Sequence, residues 1–231
     1  MEKYGTIPPR FSKDWWSYIW DYYKWHIIGG GVAAVLIGVT AVQCATQTHY
    51  DMTVTYAGAA GCTDEAQARV SEIFQETVGD VNGNGKKEVL FQALKLSSSE
   101  DQVQDAQYEM AMQTKLMLEI QAGESFLFLF SPERAEQMFA NDGAEGFFVP
   151  VSEWYSGTLS EEEQTAGSMT GYAVCLKAPA VLENAGFDCG EVYLAIRNLR
   201  SDEEKEKNLE NAKQQQQASI QAATMLVDGQ N

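Results

Sequence analysis

Hydrophobic and polar positions divide the chain into two unequal regions. From Ile27 to Ala45 it reads IIGGGVAAVLIGVTAVQCA without one charged side chain, and the uncharged window runs from Trp25 to Tyr50. A bilayer core of about 30 Å takes about 20 helical residues. Lipid offers no partner to an unpaired backbone N–H, so a spanning segment must be helical. The pattern predicts a transmembrane helix over 27–45. A cleaved signal peptide would need a short basic lead and small residues at its cleavage site. Here 26 aromatic-rich residues come first, and Gln43 spoils both a site ending at Ala45 and a lipoprotein site before Cys44. Gly30, Ala34 and Gly38 share one helix face, where two copies could approach closely as a homodimer.

Beyond the apolar window the period changes. In DMTVTYAG, Met52, Val54 and Tyr56 alternate with Asp51, Thr53 and Thr55, which predicts a strand with one buried face. Thr63 is placed to cap a helix whose stripe is Ala66, Val70, Ile73, Phe74 and Val78. GDVNGNG breaks that helix and EVLFQALKL makes a second strand. The next helix begins at SSSEDQ, buries Val103, Ala106, Met110, Met117 and Ile120, and ends at Gly123. FLFLF, residues 126–130, is too short for a lone helix and reads as a central strand buried on both faces. Ser131 and Pro132 open a third helix. FFVPV is a short extended piece, and 156–170 reads as a polar surface excursion. YAVCLK, a short helix near 181–185 and EVYLAIR complete the strands. A polar helix over 201–227 carries a thin seam of Leu209, Ala212, Ile220, Ala223 and Leu226, with Gln214 to Gln217 as a solvated face. Strand–helix alternation predicts an α/β sandwich with a mostly parallel sheet. The expected domains are an aromatic tail (1–26), the membrane helix (27–45), an outer α/β domain (46–200) and a C-terminal helix belonging to it (201–231).

Four of the five tryptophans fall in the tail. Trp15, Trp16, Trp20, Tyr22, Tyr23 and Trp25 suit the headgroup level of a bilayer, with a docking surface for a membrane partner as the alternative. Charge then sets orientation. Lys3, Arg10, Lys13 and Lys24 precede the apolar window, and the first basic residue after it is Arg69. Positive flanks stay inside, so the expected topology is single-pass in the cell membrane, N-terminus cytoplasmic and main domain extracellular. The net charge is −17; the tail holds +1 after Glu2, Asp14 and Asp21 are counted, which leaves −18 for the rest. That field repels nucleic acid. An extracellular domain permits disulfides. Cys62, Cys175 and Cys189 leave one over and the sequence does not fix a pair: Cys175 can pair with Cys189, and three free, buried thiols fit equally well.

Two stretches carry candidate chemistry. Asp80, Asn82 and Asn84 followed by Gly85 have the spacing of an EF-hand calcium loop, with the Lys86 carbonyl and Glu88 as further oxygens. Phe91 stands where the closing glutamate belongs, and a helix-to-strand turn explains the same residues. Calcium is the one cofactor the residues suggest. The second stretch follows from strand order: ligands of α/β sheets bind beyond the carboxyl ends of the strands. That points to Ala57, Gly58, Gly61, Cys62 and Ser131, with Trp154 on the rim. Histidine occurs only as His26 and His49, beside the apolar window, so histidine acid–base chemistry in the outer domain is not expected.

A family resemblance begins at Ala111. Ala111-Met112-Gln113-Thr114-Lys115-Leu116, then Glu119-Ile120-Gln121-Ala122-Gly123-Glu124 and FLFLF, resembles a stretch of the extracellular solute-binding proteins of ABC importers. Gly146-Phe147-Phe148-Val149-Pro150-Val151-Ser152-Glu153-Trp154 is similar to a later motif of that family. Lys24-Trp25-His26 and the Asp80 loop resemble small membrane-anchored proteins of Gram-positive bacteria. The resemblance implies one lobe of a type 2 periplasmic-binding fold. It covers about half of the outer domain, which is long enough for about one lobe. Gly123-Glu124-Ser125 lacks the family's proline-aspartate before the strand. The resulting expectation is a membrane-anchored binding or interaction domain without catalysis, engaging an envelope protein or a small solute. A solute receptor for an ABC-type importer is the second reading, and a cell-envelope enzyme the third.

Overall fold

A computed structural model of the chain describes residues 9–46, 49–97, 106–122, 125–139, 146–157, 171–199 and 206–229. Two compact units separate at the polar exit of the apolar window, Met1–Thr48 and His49–Asn231.

The first unit is built on one helix, α1 (Lys13–Thr46, 34 residues). At about 1.5 Å per residue it spans roughly 50 Å. Ser12 caps it, its Oγ accepting from the Trp15 N–H at 3.2 Å. Residues 13–26 of the aromatic tail and the apolar window are therefore one continuous helix. It is long and apolar enough to cross a membrane, and among the described residues none of its apolar window is buried. Trp16, Trp20, Tyr22, Tyr23 and Trp25 are exposed, while Trp15 packs between Phe11 and Trp16.

The second unit is a five-stranded sheet with helices on both faces. Its strands are β1 (Met52–Gly58), β2 (Val89–Lys95), β3 (Leu127–Phe130), β4 (Ala173–Lys177) and β5 (Glu191–Ile196), in the order β2-β1-β3-β5-β4. β1 pairs in parallel with β2 and β3; β5 runs antiparallel to both β3 and β4. The sheet is mixed: β1, β2, β3 and β4 run one way, as a mostly parallel sheet would have them, and β5 alone runs against them. Alternating polarity is the same for either strand direction, so β5 could not be oriented from its own residues.

One face carries α2 (Asp64–Thr77), the short helices α5 (Val151–Trp154) and α6 (Ala180–Asn184), and the long α7 (Glu206–Asp228). Ala66, Val70 and Phe74 of α2 and Ala218, Ala222, Ala223 and Leu226 of α7 pack there against Val54, Tyr56, Leu129 and Leu194. Thr63 caps α2 as expected, its Oγ1 accepting from the Ala66 N–H at 3.2 Å. The other face carries α3 (Ala106–Ala122) and α4 (Pro132–Phe139), whose Leu116, Ile120, Ala135 and Phe139 cover Phe128, Phe130 and Ala195.

Three expectations change here. β1 is buried on both faces, because α3 and α4 cover the side that Thr53 and Thr55 present. Thr55 keeps its polarity satisfied: its Oγ1 accepts from Gln92 Nε2 at 2.9 Å and shares a hydrogen bond with the Ser125 Oγ at 2.6 Å. In α3 the buried positions are Glu109, Leu116 and Ile120, whereas Ala106, Met110 and Met117 are exposed. Val103 and Gly123 lie outside the described residues, as does most of the 156–170 excursion. The glutamines of α7 are not all solvated: Gln215 and Gln216 donate to the Tyr50 and Arg197 carbonyls at 3.1 and 2.8 Å.

Candidate functional site

β1 and β3 are where the sheet changes direction of travel. The chain leaves β1 toward β2 on one side and leaves β3 toward β5 and β4 on the other. Their carboxyl ends flank a topological switch point, the usual place for a crevice. Here Gly58 and the 59–63 turn lie on one side of the switch point and Ser131 on the other. The Ser131 N–H donates to the Ala57 carbonyl at 3.0 Å, and the Leu96 N–H to the Gly58 carbonyl at 2.8 Å. A Cβ on Gly58 would stand 2.7 Å from the Ser131 Cβ and run into the Tyr56 hydroxyl. Only glycine allows that close approach.

The floor is therefore packed protein. Ala57 and Gly58 are buried, whereas Gly61 is exposed and Cys62 and Ser131 are half-buried. Trp154 is not on the rim. It is buried in α5, inside the apolar cluster that α7 covers, with its indole N–H unpaired. Its helix is tied to the amino-end side of β4 through Val151 N–H to the Gly171 carbonyl, 2.8 Å. A lone Trp-Tyr pair could not be distinguished from core by spacing.

The electrostatics of the crevice are one-sided. α2 starts with Asp64 and Glu65, and α4 has Glu133 in its first turn. These carboxylates occupy the positive ends of both helix dipoles and disfavour an anionic ligand. Tyr56 lies beneath the turn with its hydroxyl accepting from the Ala60 N–H at 3.2 Å. Burial pushes its pKa up to about 12, only partly opposed by that hydrogen bond. Burial, and then Asp64, pushes the Cys62 thiol up as well. Both groups are protonated at neutral pH and neither is poised as a nucleophile or base.

The Asp80 loop lies at the opposite, amino end of β1. Its oxygens are turned onto its own amides. Asp80 Oδ1 and Oδ2 accept from the Asn84 and Gly85 N–H groups at 3.1 and 2.8 Å. Asn82 Oδ1 accepts from Asn84 N–H at 3.0 Å, and Asn84 Oδ1 from Lys86 N–H at 2.7 Å. Gly85 takes φ +81°, the conformation for which glycine was read there. Glu88 is engaged through its backbone, its N–H donating to Asp51 Oδ2 and its carbonyl accepting from the Asp51 N–H. Phe91 faces the core in β2. Among the described residues no cluster of three His, Cys, Asp or Glu is arranged to hold a metal. The loop's geometry is that of a self-satisfied helix-to-strand turn.

Sequence reading missed the residue that organises it. Asp51, fully buried, accepts from the Val81 and Asn82 N–H groups, both at 2.9 Å, as well as from Glu88. The alternation of β1 had assigned it to the polar face. Its only local signal was an acid directly before a β-branched run, which any solvated strand end also shows. A shallow groove of about 300 Å³ also lies between Gly79, Asp80 and Val81 and the Gln214, Gln217 and Gln221 side of α7.

No protein-family profile, curated protein or solved structure matches the chain.

Proposed function

We propose that the chain is a single-pass membrane protein whose α/β unit stands outside the cytoplasm and works by binding, without catalysis. The observation that carries this reading is α1: 34 residues of helix with no buried residue among those described in its apolar window. A face that apolar and that bare calls for lipid. The asymmetry of basic residues around it supports a cytoplasmic N-terminus. The binding part of the proposal rests on the β1–β3 switch point and on protonated Tyr56 and Cys62, which supply a contact surface and no activated group.

In this reading the unit resembles one lobe of an ABC-importer solute-binding protein, and its contact site is the crevice of Gly61, Cys62 and Ser131. The negative first turns of α2 and α4 favour neutral or cationic ligands over anions. A solute receptor is the form the switch point favours; an envelope-protein partner is the form the packed floor at Ala57 and Gly58 favours.

Orientation is tested in intact cells with a membrane-impermeant maleimide. Glu72→Cys, on the exposed side of α2, should be labelled and Lys13→Cys spared; the reverse pattern would refute the topology. Binding is tested by melting the full-length protein in detergent micelles with pooled sugars, peptides and amino acids. A rise in Tm with one pool supports the solute receptor. No rise with any pool sinks that form and leaves the protein-partner form.

A further inference from the structure

Three free thiols are described in the α/β unit: Cys62, Cys175 and Cys189. The sheet itself sorts them. Cys175 packs on the face of Phe128, Phe130 and Tyr193, under α3 and α4. Cys189 is buried on the other face, and Cys62 packs against that same cluster. A sheet lies between Cys175 and Cys189, so the pair allowed by the sequence is closed off by the fold.

Tyr56 contacts a near neighbour of each of the other two. Its hydroxyl accepts from the Ala60 N–H, two residues before Cys62. Its ring meets Phe187 edge-on, two residues before Cys189, with centroids 4.9 Å apart. Arg69 of α2 donates from Nε to the Ala185 carbonyl at 2.8 Å, which clamps α2 to the segment leading into Cys189. The two thiols and the Tyr56 phenol each fall within the electrostatic reach of the others.

We propose that Cys62 and Cys189 form a disulfide that staples the β1–α2 turn to the α6–β5 turn once the α/β unit is exposed to a thiol-oxidising environment. This rests on the extracellular placement proposed above. The oxidant is an external disulfide, either a small molecule or the active site of a thiol oxidoreductase. The Cys62 thiolate, the more exposed of the two, attacks one sulfur of that disulfide and expels the first thiolate. Cys189 then gives up its proton, its sulfur attacks the Cys62 sulfur, and the second thiolate leaves. Two protein thiols are oxidised to one disulfide, and the external disulfide is reduced to two thiols that take up the two protons. Burial, and after it Asp64 for Cys62 and Asp188 and Glu183 for Cys189, opposes formation of both thiolates. Uncatalysed closure is therefore slow at neutral pH. The closed loop is long, and the staple fixes the wall of the crevice that carries Gly61 and Cys62.

The test equilibrates the full-length protein in detergent micelles across a series of reduced and oxidised glutathione, blocks remaining thiols and maps peptides by mass spectrometry. The expected result is a Cys62–Cys189 cross-linked peptide and a Tm raised by roughly 10 °C over the reduced form. Cys62→Ser and Cys189→Ser should each abolish both effects, and Cys175→Ser should leave both. Two thiols that stay alkylatable at every ratio, or a link through Cys175, would overturn the proposal whatever the orientation of the chain. A link found in micelles upholds the pair; thiols at 62 and 189 found reduced in intact cells would then count against the extracellular placement instead.

Discussion

At its amino end β1 is preceded by Asp51, a buried carboxylate that accepts three backbone N–H groups; at its carboxyl end it stops on Gly58, wedged between Tyr56 and Ser131. The amino end looks like a binding motif in the sequence, yet its oxygens are spent on holding a turn. The carboxyl end has no motif, yet it leaves half-buried groups at a switch point of the sheet. A run of ligand-type residues is weak support for a site when the same oxygens can close a loop on its own amides. Where the sheet changes direction, by contrast, a crevice is a consequence of topology and needs no signature residues.

That contrast can be broken experimentally. The largest effect is expected from Asp51→Ala, which strands three half-buried amides. Urea unfolding should show a loss of roughly 3–5 kcal/mol. A loss under about 1 kcal/mol would mean that the carboxylate does not organise the loop. Gly58→Val comes next, because the new side chain must displace Ser131 or Tyr56; overpacking of this kind costs about 1–3 kcal/mol. An unchanged Tm would show the crevice floor to be open rather than packed.

Near the same carboxyl end, Glu109 accepts from the Ser97 N–H, from Gln113 and from Arg134, the last at 2.9 Å. Burial alone would raise its pKa, but these hydrogen bonds and the Arg134 charge outweigh it and hold the carboxyl below its usual value of 4.5. A depressed carboxylate pKa stabilises above the unfolded value and is lost as pH falls through the folded one. Glu109→Gln should therefore cost about 2 kcal/mol at neutral pH. The gap to wild type should close in acid below the usual carboxylate range. A gap independent of pH would assign the loss to packing.

The smallest effect sharpens the comparison most. Asp80→Ala should cost only about 1 kcal/mol, the worth of an exposed turn cap. Calcium should leave the Tm of wild type unchanged. A calcium-dependent rise that Asp80→Ala removes would return the loop to the list of cation sites.

Much of the local structure was legible. Thr63 as a cap, the α2 stripe of Ala66, Val70 and Phe74, and the doubly buried β3 follow from spacing and residue type. The register of α3 was not, because its apolar residues surround the helix and leave no unique face; Leu116 won burial over Met117 through its partners on the sheet. Trp154 failed for a related reason. A single side chain does not announce which layer it will enter.

The amino-acid sequence by itself determined where the apolar window lies, how its charges are distributed, and which segments become strand or helix, since period and capping act within a few residues. Only the tertiary structure decided the antiparallel course of β5, the burial of Asp51 and Thr55, and the placing of Cys62 and Cys189 on one face with Cys175 on the other. Those outcomes depend on which segment covers which, and contacts between residues distant along the chain leave no trace in local polarity.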